Sequence, residues 1–212
     1  RLRVDAARAV AGATGTPAGP VHCNVPFRKP LEPIDVPGDE PTDPEGLGAV
    51  GRDGPFVASS DGVQSPGSET VASVADRVAD ATRVLIVAGP ADPGSGAGTA
   101  ARELAGAIGA PLLADPLSDA RFGSDGDTAG SPLVCGGYDA YVGTEPVAAW
   151  PDPEVVLRFG ASPTSKALRT YLAGTDAWQA LIDPATDWRE AEFTAAATLR
   201  AEPRRTLLAL ST

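Results

Sequence analysis

The sequence predicts an α/β fold built on a doubly wound, Rossmann-like parallel sheet with helices on both faces. Between residues 69 and 212, short apolar runs alternate with Ala-rich helical patterns, which is typical of parallel strands joined by right-handed crossovers. A hydrophobic content of 42% over 212 residues is enough for one such domain with a proper core and some appended chain. Residues 154–172 contain a complete unit of strand, polar crossover and helix.

The first 68 residues carry a different pattern. Residues 2–14 place apolar side chains on one face of a predicted helix, and residues 21–25 form a short apolar run that predicts a strand. Residues 34–68 are rich in Pro, Gly, Asp and Ser without sustained periodicity, which predicts an interdomain linker. We therefore expect residues 1–33 and 69–212 to belong to separate parts of the protein.

The α/β pattern begins at residue 69 and continues to the end of the chain. Its predicted strands lie at residues 83–88, 111–114, 155–159, 177–182 and 195–200. Its predicted helices lie at residues 69–81, 98–108, 138–149 and 203–211, with a further helix that starts after residue 162.

Residues 154–172 are the part of the chain that we expect to face a ligand. Residues 155–159 form a nearly continuous apolar run that suits a parallel strand buried on both faces. Residues 162–165 then supply capping hydroxyls and a proline that suits a first helical turn. The N–H groups of this helix start and the ammonium of Lys166 would lie at the carboxyl end of the strand, where open α/β sheets bind ligands. The pattern predicts a binding site for a carboxylate or phosphate.

The charge balance excludes two classes of partner. The formal net charge is -11, from 28 acidic and 17 basic side chains, and this field repels nucleic acid and anionic membrane surfaces. Lysine occurs only at Lys29 and Lys166, while arginine supplies every other positive side chain. This acidic, lysine-poor composition resembles a haloarchaeal surface, so we expect the unfolding temperature to rise with salt.

The cysteines and the single histidine predict neither a disulfide framework nor a metal site. Cys23 and Cys135 lie 112 positions apart without a CxxC motif, and His22 cannot complete a zinc set with them. We expect both cysteines to be small buried hydrophobes, His22 to be structural, and Trp150, Trp178 and Trp188 to anchor a core or an interface. No apolar run approaches the length of a membrane span, which favours a cytoplasmic protein.

A glycine-rich loop offers a competing site. Gly96, Gly98 and Ala101 fit G-x-G-x-x-A before a helix, and Asp115 follows Gly96 by 19 residues, where a ribose acceptor would lie. Seven residues nevertheless separate the preceding strand from Gly96, whereas a nucleotide fingerprint begins almost directly after its strand. This spacing favours a structural loop, and a nucleotide-binding or flavin-binding module remains the alternative.

Four segments together resemble one enzyme family. They are GPVHCNVPFRKPLEP at residues 19–33, LLADPLSDAR at 112–121, YDAYV at 138–142 and VLRFGASPTSKALRTYL at 156–172. In this order they are similar to the thiamine-diphosphate-dependent 2-succinyl-5-enolpyruvyl-6-hydroxy-3-cyclohexene-1-carboxylate synthases (SEPHCHC synthases) of menaquinone biosynthesis. The resemblance implies that residues 1–33 are the tail of a pyrimidine-binding domain and residues 69–212 the central domain of such an enzyme.

The resemblance also implies a reaction and a substrate site. Family members are carboligases, transferases that decarboxylate 2-oxoglutarate and join the resulting succinyl unit to isochorismate, so the ligands would be dicarboxylates. The family carries a lysine at the position of Lys166, which would bind a substrate carboxylate with help from Ser165, Thr164 and Arg169. Relatives can have arginine directly after this lysine, where the present chain has Ala167.

Cofactor binding is expected elsewhere in the full-length enzyme. The family binds thiamine diphosphate and Mg²⁺ through a GDG motif followed by Asn, but this sequence has no GDG and its one asparagine is Asn24. We therefore expect no catalytic, cofactor or metal residue here, and no activity from these residues alone.

The implied partners are the other domains of the same enzyme, which Arg28 and Lys29 could contact, and further copies in a dimer or tetramer. A purely structural, dimerising domain is the remaining alternative.

Overall fold

A computed structural model describes residues 2–27, 29, 32, 34, 37–38, 43–122, 131–185 and 188–211. The chain divides into two compact units, Arg1–Gly62 and Val63–Thr212. The first unit contains helix α1 (Leu2–Thr14), as predicted, and the single-turn helix α2 (Leu47–Val50). None of its described residues is buried, so this unit shows no core of its own there.

The strand predicted at residues 21–25 is wrong, because these residues form neither strand nor helix. Val21 and Val25, at the ends of the predicted strand, are 46% and 54% exposed. A strand is stabilised by pairing with a neighbour, and the described part of this unit offers no second strand. The apolar pattern was present here without the partner that would make it a strand.

The second unit is a six-stranded parallel sheet, which confirms the predicted fold class. The strand order is β3-β2-β1-β4-β5-β6. The strands are β1 (Val84–Ala88), β2 (Leu112–Ala114), β3 (Val134–Cys135), β4 (Val155–Phe159), β5 (Trp178–Ile182) and β6 (Ala197–Leu199). The helices are α3 (Ser68–Asp80), α4 (Ala97–Ile108), α5 (Glu145–Ala148), α6 (Lys166–Ala173) and α7 (Pro203–Leu210). No helix in the described part of the chain is long and apolar enough to cross a membrane.

The two faces of the sheet are covered unequally. Alternate strand residues, such as Ile86 and Leu157, pack on one face against α3, α4 and α7. Their neighbours Leu85 and Val156 pack on the other face against α6 and residues 138–142. The buried alanines of α4 have small side chains, which allow this helix to pack close to the first face of the sheet. The second face has a thinner cover.

The helix predicted at residues 138–149 is wrong. A 3-10 turn at Tyr138–Ala140 is followed by the single turn of α5, and Gly143 interrupts the chain between them with φ +91°. A residue in this left-handed region breaks a helix, and Pro146 suits the first turn of a new one rather than the interior of a long one. The two-residue strand β3, which pairs with β2, is too short to give an alternating pattern in the sequence.

Candidate functional site

The strand order reverses between β1 and β4, so the ends of these two strands define the switch point where open sheets bind ligands. Here the two following segments bond to each other directly. The Gly89 N–H donates to the Phe159 carbonyl at 2.9 Å, and the Ala161 N–H donates to the Pro90 carbonyl at 2.8 Å. A Cβ at Gly89 would collide with the Ala161 carbonyl. The backbone therefore closes this crevice and directs the chain into the start of α6.

The start of α6 is capped by a serine. Ser165 is the N-cap residue, and its Oγ accepts the Leu168 N–H at 3.1 Å. The same hydroxyl donates to the Asp139 carboxylate, which ties the helix start to the 3-10 turn at Tyr138–Ala140. The helix-start pattern predicted from residues 162–165 is confirmed, and its hydroxyl is bonded within the protein.

Asp115 fixes the residue before this cap. Its side chain lies at the end of β2, fully buried. Its Oδ2 accepts the Thr164 N–H at 2.8 Å and the Thr164 hydroxyl at 2.7 Å, while its Oδ1 accepts the Leu117 N–H at 3.0 Å. The Tyr138 hydroxyl donates to Oδ2 at 3.5 Å. Burial, followed by the negative charge of Asp115, raises the pKa of Tyr138, so this phenol stays neutral.

Lys166 lies in the first turn of α6 with an exposed side chain. Within the described part of the chain, its ammonium has no hydrogen bond or ion pair. It lines an open groove of about 440 Å³ whose other walls are largely apolar. These walls are Gly143, Val147, Ala148, Ala167, Thr170 and Tyr171. The groove thus combines a cation with an apolar surface, which suits a ligand that has a carboxylate attached to an apolar group.

Arg169 is directed toward its own helix start. Its Nη1 donates to the Pro163 carbonyl at 2.8 Å and to the Thr164 carbonyl at 3.2 Å, and its Nε lies 3.3 Å from the Glu192 carboxylate. These bonds keep the guanidinium on the turn that precedes α6. Arg169 therefore stabilises the position of Lys166 in this structure and lies outside the lining of its groove.

A buried ion pair that we did not predict from the sequence lies beneath the same turn. Arg158 on β4 and Glu190 approach to 2.7 Å, with side chains only 6% and 4% exposed. Arg158 also donates to the Gln179 side-chain oxygen at 2.9 Å and to the Thr194 hydroxyl at 3.0 Å. Burial acts to raise the pKa of Glu190, but the Thr194 N–H and the charge of Arg158 outweigh it and hold this pKa below its ordinary value. The sequence feature that could have indicated this pair is the charged Arg158 inside the apolar run of β4.

The segment that carries Glu190 also binds the helix start. The Ser162 N–H donates to the Arg189 carbonyl at 2.9 Å, and the Ala191 N–H donates to the Ser162 Oγ at 2.7 Å. Arg189 in turn pairs with Asp183 at the end of β5 at 2.8 Å. The turn before Lys166 is thus fixed from β2 on one side and from β5 on the other.

Comparisons with known proteins agree with the segments that resemble the synthases. The chain is 54% identical over 99% of its length to the 2-succinyl-5-enolpyruvyl-6-hydroxy-3-cyclohexene-1-carboxylate synthase of Haloarcula marismortui, and 52% identical over 99% to that of Halobacterium salinarum. It is 42% identical over 81% of its length to the synthase of Roseiflexus castenholzii.

The chain is similar to these synthases over nearly its whole length.

It spans 36% of the length of the Haloarcula and Halobacterium synthases and 28% of the Roseiflexus one. No family model matches the chain. Its fold is similar to an X-ray structure from Mycobacterium smegmatis described as a candidate thiamin diphosphate-dependent enzyme, with a TM-score of 0.50 and 24% identity over 74% of this chain and 30% of that one. The SEPHCHC synthase relationship therefore covers nearly all of this chain and about a third of those relatives.

Three residues of the predicted nucleotide motif, Gly96, Gly98 and Asp115, have structural roles. Gly96 is the left-handed residue before α4, with φ +74°. A Cβ at Gly98 would collide with the backbone of Asp119, so this glycine lets α4 approach the segment after β2. Both oxygens of Asp115 accept hydrogen bonds from the protein. These contacts favour the structural interpretation, while nucleotide binding stays a prediction.

Several single-residue expectations are corrected. Cys23 is exposed rather than buried, and Cys135 is half-buried. Trp150 and Trp188 are 53% and 51% exposed, so neither is a core residue, and their alternative role at an interface stays a prediction. Trp178 does pack against the core cluster, with Arg77 4.8 Å from its ring centre.

The remaining predicted residues add no site. His22 and Lys29 are exposed, and Arg28 lies outside the described residues, so contact of Arg28 and Lys29 with another domain stays a prediction. Within the described ranges, no group of three or more His, Cys, Asp or Glu side chains could hold a metal ion.

Proposed function

We propose that this chain is the central portion of a thiamine-diphosphate-dependent carboligase of menaquinone biosynthesis, a transferase that joins the succinyl unit of 2-oxoglutarate to isochorismate. The observation that supports this most strongly is the 54% identity to a named SEPHCHC synthase over 99% of the chain. The six-stranded parallel sheet is the fold expected of the central domain. The activity would belong to a protein about three times as long, of which these residues are one part.

The proposed role of these residues is to present Lys166 to a substrate carboxylate. The ammonium lies in the first helical turn, where the N–H groups of residues 166 and 167 point out of the helix and favour an anion. The groove beneath Lys166 is largely apolar, so a bound ligand that fills it with an apolar body would exclude water and strengthen a charge-assisted bond. Ser165 and Thr164 support the site by fixing the turn through Asp139 and Asp115.

We propose that residues 1–33 are the tail of a pyrimidine-binding domain, residues 34–68 a linker and residues 69–212 the central domain. The residues present here do not fit thiamine diphosphate with Mg²⁺, because the sequence lacks GDG and the described residues offer no cluster of metal ligands. Both cofactors would be bound by other parts of the enzyme. A cytoplasmic location and a dimeric or tetrameric assembly complete the proposal.

The test is a pair of substitutions at Lys166 in the full-length enzyme. Lys166→Met removes the charge and keeps the length of the side chain, whereas Lys166→Arg keeps the charge. A lost charge-assisted contact costs about 2 kcal/mol, so we expect kcat/KM to fall roughly thirtyfold in Lys166→Met, with a much smaller loss in Lys166→Arg.

The measurement is steady-state kcat/KM for 2-oxoglutarate and isochorismate separately, with the thermal unfolding midpoint as the folding control. A folded Lys166→Met variant with unchanged kinetics for both substrates would remove Lys166 from the site. Absence of carboligase activity in the unmodified full-length enzyme would overturn the proposed function itself.

A further inference from the structure

A second cavity lies at the other edge of the sheet, where β1, β2 and β4 begin. It has a volume of about 460 Å³ and is partly enclosed. Short turns in residues 138–150, rather than the predicted long helix, cover this face and contribute Tyr141, Val142, Val147 and Trp150 to the cavity walls. The cavity shares Val147 and Tyr171 with the Lys166 groove, but its lining includes neither Lys166 nor the turn before it.

The walls of this cavity are mainly apolar and aromatic. Leu85, Leu113 and Val84 come from the strands, and Val78 and Ile108 from the ends of α3 and α4. The aromatic walls are Tyr141, Trp150 and Tyr171. The rings of Tyr141 and Trp150 lie 6.0 Å apart at an angle of 53°, a tilted arrangement of the kind that aromatic pairs prefer.

Three of the polar residues that line this cavity, Arg83, Tyr141 and Cys135, are already paired with other protein groups. Tyr141 and Cys135 share a side-chain hydrogen bond, and burial together with this bond raises the pKa of Tyr141 to about 12. Arg83 is the charged residue among the described lining residues, and Glu154 lies 2.6 Å from its guanidinium while the Asp152 carbonyl accepts its Nε–H at 2.7 Å. A charged ligand would thus lose its hydration without gaining an unpaired counter-charge.

We propose that this cavity binds an uncharged, planar aromatic molecule. The volume falls within the range of small-molecule sites, which are mostly apolar with a few polar groups that set orientation. A flat ring system can contact Tyr141, Trp150 and Tyr171 at once, and the paired Tyr141 hydroxyl and Thr82 at the rim can orient one hydrogen-bonding group. The volume selects a small molecule rather than a protein partner.

The first measurement compares two fluorescent probes with the same rings. N-phenyl-1-naphthylamine is uncharged, and 8-anilinonaphthalene-1-sulfonate adds a sulfonate to it. We expect the full-length protein to bind the uncharged probe with a Kd lower by about tenfold or more, because the cavity offers the sulfonate no unpaired cation. Equal or tighter binding of the sulfonate would overturn the proposed ligand class.

A matched pair of variants locates the binding. Ala81 lines the cavity at the end of α3, whereas Ala79 is exposed two residues earlier and outside the lining. Ala81→Phe should raise the Kd of the uncharged probe about tenfold by filling the cavity, and Ala79→Phe should leave it unchanged. Equal effects of the two substitutions, or none, would place the probe elsewhere and overturn the site.

A labelling experiment needs no variant and therefore does not depend on folding of Ala81→Phe. Cys135 lines the cavity, and Cys23 is exposed in the other compact unit. Saturating N-phenyl-1-naphthylamine should slow alkylation of Cys135 severalfold, read by peptide mass spectrometry, without slowing alkylation of Cys23. Unchanged labelling of Cys135, or absence of probe binding by the full-length protein, would show that the cavity is not a site.

Discussion

Two glutamate–arginine pairs lie at opposite edges of the sheet and show how differently the two edges are built. Glu190 and Arg158 meet at 2.7 Å near the carboxyl edge with side chains almost fully buried, and Thr194 and Gln179 complete their hydrogen bonds. Glu154 and Arg83 meet at 2.6 Å at the amino edge with side chains 40% and 43% exposed. The two ion pairs thus have nearly equal distances, but one is buried in the protein and the other is exposed to water.

The difference teaches where this unit is rigid and where it is open. Water screens the exposed pair, so its contribution is small, whereas an uncompensated charge in the buried pair would be expensive. The carboxyl edge is consequently held by polar bonds that reach from β2 to β5 around the turn before Lys166. The amino edge relies on apolar contacts that leave a cavity. We expect substitutions at the carboxyl edge to reduce the free energy of unfolding more than substitutions at the amino edge.

The largest expected effect follows removal of the buried carboxylate. Glu190→Ala leaves the Arg158 charge buried without its partner, and we expect a loss of about 3–5 kcal/mol in the free energy of unfolding. Glu154→Ala removes the same side chain from the amino edge and should destabilise the protein far less. Urea unfolding of both variants checks the difference.

A double substitution sharpens the interpretation of that result. Arg158→Met with Glu190→Leu replaces both charges by apolar side chains and should recover part of the stability lost in Glu190→Ala. The recovery should be incomplete, because the Thr194 N–H loses its acceptor on Glu190 and the Gln179 side-chain oxygen loses its donor on Arg158. Similar losses for Glu190→Ala and Glu154→Ala would contradict the contrast between the edges.

An intermediate effect is expected at the helix cap. Ser165→Ala removes the hydroxyl that accepts the Leu168 N–H and donates to Asp139, and we expect a loss of about 1 kcal/mol. Ala173→Ser, at the exposed last residue of the same helix and outside the lining of the Lys166 groove, serves as the control. Loss of the cap should also raise the KM for the substrate held by Lys166, which a purely global destabilisation would not do.

Acid should weaken the buried pair by protonation of Glu190. The pKa of Glu190 is below its ordinary value of 4.5 in the folded state, so its contribution to stability is full above that value and is lost as the pH falls through the lowered folded pKa. The pH profile of Glu190→Gln below pH 4.5 should therefore be flatter than that of the unmodified protein. Parallel profiles over this window would show that the buried pair does not control acid stability.

The smallest effect concerns the acidic surface as a whole. Salt screens the self-repulsion of a chain with a net charge of -11, so the unfolding temperature should rise between low and molar salt. Glu190→Ala should show the same rise, because the charge it removes is buried. A flat or falling profile measured by calorimetry would contradict the interpretation of the composition as a haloarchaeal surface.

Local patterns predicted the part of the fold that depends on local chemistry. The apolar run before Phe159 and the hydroxyls before Lys166 sufficed to predict β4, the turn and α6, because burial and capping act within a few residues. The strand at residues 21–25 and the helix at 138–149 failed because they depended on a pairing partner and on the effect of Gly143. The role of Lys166 remains a prediction.

The contacts across the sheet could not be predicted from neighbouring residues. Asp115 bonds Thr164 from 49 positions away, and Arg158 in β4 pairs with Glu190, which follows β5 in the sequence. The sequence showed an aspartate before a proline and an arginine in an apolar run, but neither pattern identifies its partner. Only the strand order brings them together.

The direct contact between the segments after β1 and β4 also gives a criterion for comparing related sequences. Neither Gly89 nor Gly160 has room for a Cβ, because the opposing carbonyl groups occupy that space. Any relative with a larger residue at either position must have separated these two segments. Such a substitution would identify, without a structure, the relatives whose central sheet has an open crevice at its switch point.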